Sequence, residues 1–209
     1  MSVQQSYNLW ASQYDDNENK TRDLEARVLR ETLATIGFNK CLEIGCGTGK
    51  NTIWLAQKAN KVLAIDLSEE MLAKAKEKIP SPTVEFQQAD IMMPWAFTQD
   101  VFDLVVFSLV LEHIEQLNPV LKNASTKLTP NGYVYIAELH PFKQYSGSKA
   151  RFDTADGQHV VDCFVHHVSD FMHAAMNAGL MLVMLDEYFD HDDRKQPPRI
   201  LRMLFKKME

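Results

Sequence analysis

A chain of 209 residues is the size of one ordinary domain, large enough to bury a real core. Apolar residues make up 45% of it, which excludes a disordered chain, and no apolar run approaches the roughly 18 residues a membrane helix needs. The net charge of −6 argues against a broad phosphate-binding surface, so neither nucleic acid nor membrane is an expected partner.

The N-terminal MSVQQSYNLW lacks the basic and apolar stretches of a secretory signal. Cys41, Cys46 and Cys163 are odd in number and lack metal-ligand spacing, so a reducing, cytoplasmic setting is expected. Residues 6–14 are amphipathic and aromatic. A helix is predicted over 21–35, with Thr21 as its cap and Gly37 beyond its end. Lys40–Ile44 reads as a strand, followed by a glycine-rich loop and a helix over 51–59. A second strand over 62–65 ends on Asp66, and the next helix, to Ile79, has Ser68 as N-cap with Glu69 and Glu70 in its first turn. A third strand over 83–88 ends at Ala89-Asp90-Ile91. Phe102–Ser108, FDLVVFS, is a short apolar run suited to a buried parallel strand, and LVLEHI follows it. A helix over 119–128, a Pro130-Asn131-Gly132 turn and a strand over 133–139 come next. Residues 140–167 read as irregular, a helix over 169–178 ends at Gly179, and strands close the chain over 181–189 and 200–206. Strands alternating with helices predict an α/β domain. No repeat or linker divides residues 1–209.

The chemistry concentrates in KCLEIGCGTGKNT, residues 40–52. A phosphate-binding loop would need G-x-x-x-x-G-K-[ST], but Ile44 and Asn51 stand where Gly and Ser or Thr belong. A dinucleotide fingerprint would need G-x-G-x-x-G, and the third glycine comes one residue early. What matches is E-x-G-x-G-x-G, from Glu43 to Gly49. Glycines let backbone pass close to a ligand, and an acid at the end of the next strand, Asp66, can accept from both ribose hydroxyls. Together these suit a nucleoside cofactor.

This set resembles the first motif of class I S-adenosylmethionine-dependent methyltransferases, and Asp90-Ile91 and Leu109–Ile114 are similar to later motifs of that family. The resemblance implies a Rossmann-like three-layer αβα sandwich, with a mostly parallel seven-stranded sheet and an antiparallel last strand. It implies S-adenosylmethionine as cofactor. Gly45, Cys46, Gly47 and Gly49 would admit its methionine half, and Glu43 would fix the loop or reach the amino group through water. Asp66, with Leu67 after it, would take the ribose. Asp90 would accept from the adenine amine, Ile91 would flank the ring, and backbone near Ser108 would meet the ammonium. Tyr7-x3-Ala11-x2-Tyr14-Asp15 looks like the opening of ubiquinone-biosynthesis-type and related small-molecule methyltransferases. On that likeness residues 1–20 form a lid, with Tyr14 and Arg22 reaching the cofactor carboxylate. The alternative is that Tyr7, Trp10 and Tyr14 simply pack a surface helix onto the domain.

His140 and His113 are the candidate bases, and one of His166 and His167 is expected to line the pocket. The stretch around His191–Asp193 reads as a polar loop rather than a metal site. After the fourth strand there is no N/D-P-P-Y/F run for nucleobase amines, no Pro precedes a cysteine as cytosine chemistry requires, and Glu112 and Glu115 lack the loop setting of arginine methylation. A small-molecule acceptor remains. Residues 140–167 would cap it, their aromatics standing among Lys143, Lys149 and Arg151 as suits an aromatic or acidic molecule, or would merely cover the sheet edge. Two other classes stay open. A nicotinamide-dependent oxidoreductase is disfavoured by the glycine spacing and by the missing Tyr-x-x-x-Lys pair. A non-catalytic relative would bind cofactor and act through a partner protein.

Overall fold

The computed structural model describes residues 1–16, 18–155 and 157–208. Helix α1 (Val3–Trp10) starts in a capping box between Ser2 and Gln5, and α2 spans Lys20–Leu33. The cap of α2 is Asn19, not the expected Thr21. Asn19 Oδ1 accepts from the Thr21 and Arg22 amides at 3.0 Å each, while the Thr21 hydroxyl accepts from Arg199 instead. Then follow β1 (Lys40–Ile44), α3 (Thr52–Lys58), β2 (Lys61–Asp66), α4 (Glu69–Lys78), β3 (Val84–Gln88) and β4 (Phe102–Ser108). Ser68 caps α4 as expected, accepting from Met71 N–H at 3.2 Å.

Helix α5 (Leu117–Thr126) starts two residues earlier than the sequence suggests, because Pro119 is tolerated inside the first turn, where no amide is needed. Strand β5 (Leu128–Leu139) absorbs the expected turn: Asn131 sits at φ 64°, and the pairing with β4 shifts between Phe102 and Leu104. Residues 140–167 are more regular than expected. They hold α6 (Pro141–Tyr145) and an antiparallel hairpin, β6 (Arg151–Thr154) with β7 (Gly157–Val160). Helix α7 (Val168–Asn177), β8 (Leu180–Tyr188) and β9 (Ile200–Lys207) complete the chain.

Seven strands form one sheet in the order β3-β2-β1-β4-β5-β9-β8. β1 to β5 pair parallel, and β9 is antiparallel to both β5 and β8. This is the Rossmann-like three-layer sandwich with an antiparallel last strand. Alternation along β1 divides the core. Leu42 and Ile44 join the layer under α5 and α7, while Cys41 joins the layer under α2 and α3. The strand order reverses between β1 and β4, and ligands of open α/β sheets bind at such a point, beyond the strands' carboxyl ends. Among the described residues, no helix is long and apolar enough to cross a membrane.

Candidate functional site

At that point lies a cavity of about 300 Å³. The loop after β1 forms its floor. Gly45 is there because the loop after β4 comes close: a Cβ would stand 2.7 Å from Val110 Cγ2. A Cβ on Gly49 would meet Ile79 Cδ1 at the same distance, so this third glycine serves packing against α4 and does not line the cavity. Gly47 (φ 54°) has open space where a Cβ would be, and its N–H donates to Asp66 Oδ2 at 2.8 Å. The other oxygen of Asp66 accepts from Ser68 N–H at 2.8 Å. Burial raises the Asp66 pKa, and these backbone donors oppose the shift.

Most of the sequence-predicted residues converge on this cavity. Glu43, Cys46, Asp66, Leu67, Asp90, Ile91, Ser108 and His113 line it from the sheet side, and Tyr14 and Arg22 close it from the N-terminal segment. Arg22 stacks on the Tyr14 ring at 4.0 Å, and its Nη1 donates to the Tyr14 carbonyl at 2.6 Å. Glu43 accepts from the Thr52 hydroxyl at 2.6 Å, which ties β1 to the start of α3. Burial, then the nearby Glu25 and Asp66, push the Glu43 pKa up to about 8 against the Thr52 hydrogen bond.

The two candidate bases are placed differently. His113 Nδ1 lies 2.8 Å from the Asp162 carbonyl, which can only accept, so that nitrogen carries the proton. Its Nε2 then accepts from the Tyr7 hydroxyl at 2.8 Å. His140 stands apart from the cavity. It caps α6 by accepting from Phe142 N–H at 3.1 Å, and its Nε2 donates to Glu187 at 3.0 Å. His166 is buried against the Ile114 carbonyl, His167 caps α7, and neither lines the cavity. Glu112, His113 and Cys163 bring ligand-type atoms within 4.8 Å of one another, but both His113 nitrogens already have partners. Burial also pushes the Cys163 thiol up to about 12, so the sulfur is a thiol.

The comparisons with known proteins agree with this geometry. Residues 42–136 match a family model described as a methyltransferase domain. A trans-aconitate 2-methyltransferase from Azoarcus sp. is 32% identical over 124 residues, which are 58% of this chain and 46% of that protein. The chain spans between 27% and 77% of other curated relatives. Residues 42–136 are thus a methyltransferase domain. The crystallised N-methyltransferase NodS from Bradyrhizobium japonicum, in complex with S-adenosylhomocysteine, superposes on this chain over the whole of both chains, with TM-score 0.73 and 18% identity. The structure of DhpI with S-adenosylhomocysteine gives TM-score 0.78 at 23% identity, covering 99% of this chain and 96% of its own.

The cavity joins open space to polar groups on its walls. Space beside Gly47 is open, and the Asp66 carboxylate stands next to it, held by the Gly47 N–H. Tyr14 and Arg22 line the same cavity. The sequence reading gave no site role to Glu25 or Glu138, and it named Tyr7 only within the N-terminal motif or as packing. Tyr7 and Glu25 line the cavity from α1 and α2, and Glu138 anchors the loop after β4 by accepting from Val110 and Leu111 N–H at 3.1 and 2.9 Å. Glu25 is buried and bonded to Asn51 at 2.8 Å, and its pKa rises to about 6 through burial, opposed by Asn51 and Ser108. A charged residue inside an apolar stretch is the signal that could have exposed Glu138, in YVYIAEL.

Proposed function

We propose that this chain transfers the methyl group of S-adenosylmethionine to a small-molecule acceptor. When bound, the cofactor supplies an electrophilic methyl on a sulfonium, open to in-line displacement. The protein's part is binding, orientation and exclusion of water, which supply most of the acceleration in such a transfer. Asp66 holds the ribose while its backbone donors keep it in place. Asp90, bonded to Met92 N–H at 2.8 Å, is kept at the adenine end beside Ile91. Gly45, Gly47 and the backbone at Ser108 border the methionine half, and Tyr14 with Arg22 meets its carboxylate. The N-terminal segment thus serves as a lid, and residues 140–167 as a cap over the acceptor.

The observation that carries this reading is the convergence of Gly47, Asp66, Asp90, Tyr14 and Arg22 on one cavity at the sheet's switch point. The names of relatives point the same way: one acts on trans-aconitate, and DhpI has been crystallised with S-adenosylmethionine and a ligand abbreviated HEP. Titration calorimetry with S-adenosylhomocysteine should give a micromolar dissociation constant, whereas NADH should not raise the melting temperature. Stabilisation by NADH and not by S-adenosylhomocysteine would overturn the assignment.

A further inference from the structure

A second cavity, of about 470 Å³, lies against the first and shares Tyr7, Tyr14, Arg22 and Leu109 with it. We propose that this cavity binds the acceptor, and that the acceptor is a small organic anion whose own ionised oxygen attacks the methyl group. This deepens the methyl-transfer reading above and rests on it.

Two independent features carry the inference. The first is charge. Lys20, Lys149 and Arg151 line the second cavity, and among the described residues none of them has an ion-pair partner within 4.0 Å. Arg199 also lines it but is matched by Asp190 at 2.5 Å. The acids in the wall are Glu18, which is exposed, and Glu112, whose pKa burial raises toward the neutral form. A chain of net charge −6 therefore gathers cations that make no ion pair along the wall of this cavity. Trp10 adds a donor: it is 5% exposed, lines the cavity, and its indole N–H has no hydrogen-bond partner among the described residues. An indole N–H can only donate, so an oxygen acceptor satisfies it.

The second feature is the base. His113 carries its proton toward Asp162 and receives another from Tyr7, while His140 is turned into the α6 cap and Glu187. With both histidines engaged, the matching acceptor is one that needs no deprotonation. A carboxylate or phosphonate oxygen meets that condition. Its lone pair forms the new O–C bond while the S–C pair stays on sulfur. One negative oxygen and one sulfonium become a neutral ester linkage and a neutral thioether, with no proton to place.

The test uses the full chain and a metabolite extract split by ion exchange before reaction with methyl-tritiated S-adenosylmethionine. Label should enter the fraction retained on anion exchanger, and that fraction should raise the melting temperature of protein saturated with S-adenosylhomocysteine. Lys149→Glu combined with Arg151→Glu alters only exposed side chains, so folding is preserved. It should slow labelling at limiting fraction about tenfold or more. S-adenosylhomocysteine affinity should stay within about twofold, and Arg151→Lys should recover most of the labelling. Label confined to the cationic or neutral fractions, or labelling indifferent to charge reversal, overturns the anion inference and leaves methyl transfer standing. No label in any fraction, or no binding of S-adenosylhomocysteine, overturns methyl transfer and the inference with it.

Discussion

Gly47 N–H and Ser68 N–H both donate to Asp66, so this carboxylate organises the glycine loop as well as offering an acceptor to a ribose. Asp66→Ala removes both functions. It should weaken S-adenosylhomocysteine by about 1–3 kcal/mol, the cost of a lost charge-assisted hydrogen bond, and calorimetry reads it directly. An unchanged dissociation constant would place the ribose elsewhere. Tyr7 makes a separate case. Tyr7→Phe deletes the hydroxyl that His113 Nε2 accepts from, and burial raises the pKa of that hydroxyl well above its ordinary value, so it remains a donor. The variant leaves Nε2 without its donor while Nδ1 keeps the Asp162 carbonyl, so in two-dimensional NMR the His113 Nε2 signal should move and the Nδ1 signal should stay close to that of the parent. Asp66 was legible in the sequence because its role follows from backbone position: a strand end and a glycine loop fix where the side chain must be. Tyr7 and Glu25 were not, since their roles depend on where two helices land, and nothing local in the sequence records that.

Helix α1 and the β6–β7 hairpin illustrate the same limit at the next scale. Trp10 stacks on Phe152 with ring centroids 5.0 Å apart, and Gln13 donates to the Asp153 carbonyl at 2.7 Å. These contacts clamp the two pieces together beside the second cavity, which Trp10 and Arg151 line. Trp10, Phe152 and Val161 form a small core of their own with Met71 and Ala11, separate from the two main layers. Removing the indole leaves a void there, with a cost of about 3–5 kcal/mol if the site cannot collapse. Because the clamp is a satellite, Trp10→Ala should act locally. Amide exchange in α1 and the hairpin should speed up by an order of magnitude or more, while β1, β4 and β5 keep their protection. Uniform acceleration across the sheet would show that the clamp is part of the global unit. The strands of the sheet were readable from apolar runs ending in turn residues. The hairpin was not, because GQHV carries no alternation and its pairing is set by Gly157 at φ 117° and by Trp10, over 140 residues away in sequence.

Over the whole molecule, the distribution of buried carboxyls sets how stability depends on pH. Glu43 and Glu138 are both buried, and their pKa values rise from the ordinary 4.5 to about 8, in each case mainly through burial. Between those values the native state holds protons that the unfolded chain releases, so stability falls as pH rises. Their contribution is complete below about pH 4.5 and is lost as pH passes 8. Asp15 and Asp190 work in the opposite sense. The hydrogen bonds from Lys78 and Thr48, and from Arg199, hold them below the usual 3.8, so their contribution is present above that value and lost in acid. The melting temperature should therefore decline from pH 6 to pH 9 as Glu43 and Glu138 are forced to ionise beside Glu25 and Glu112. Glu43→Gln keeps an oxygen for the Thr52 hydroxyl and cannot ionise. Relative to the parent it should gain at pH 9 and little or nothing at pH 5. A difference of about 1 kcal/mol moves the midpoint of a chain this size by roughly 2–4 °C, well within calorimetric reach. A parent whose melting temperature is flat across this range, or a variant whose pH profile runs parallel to it, would mean that the Glu43 carboxyl is already ionised in the native state. The glycine loop would then carry a full negative charge facing Asp66, and cofactor affinity would have to be accounted for with that charge in place.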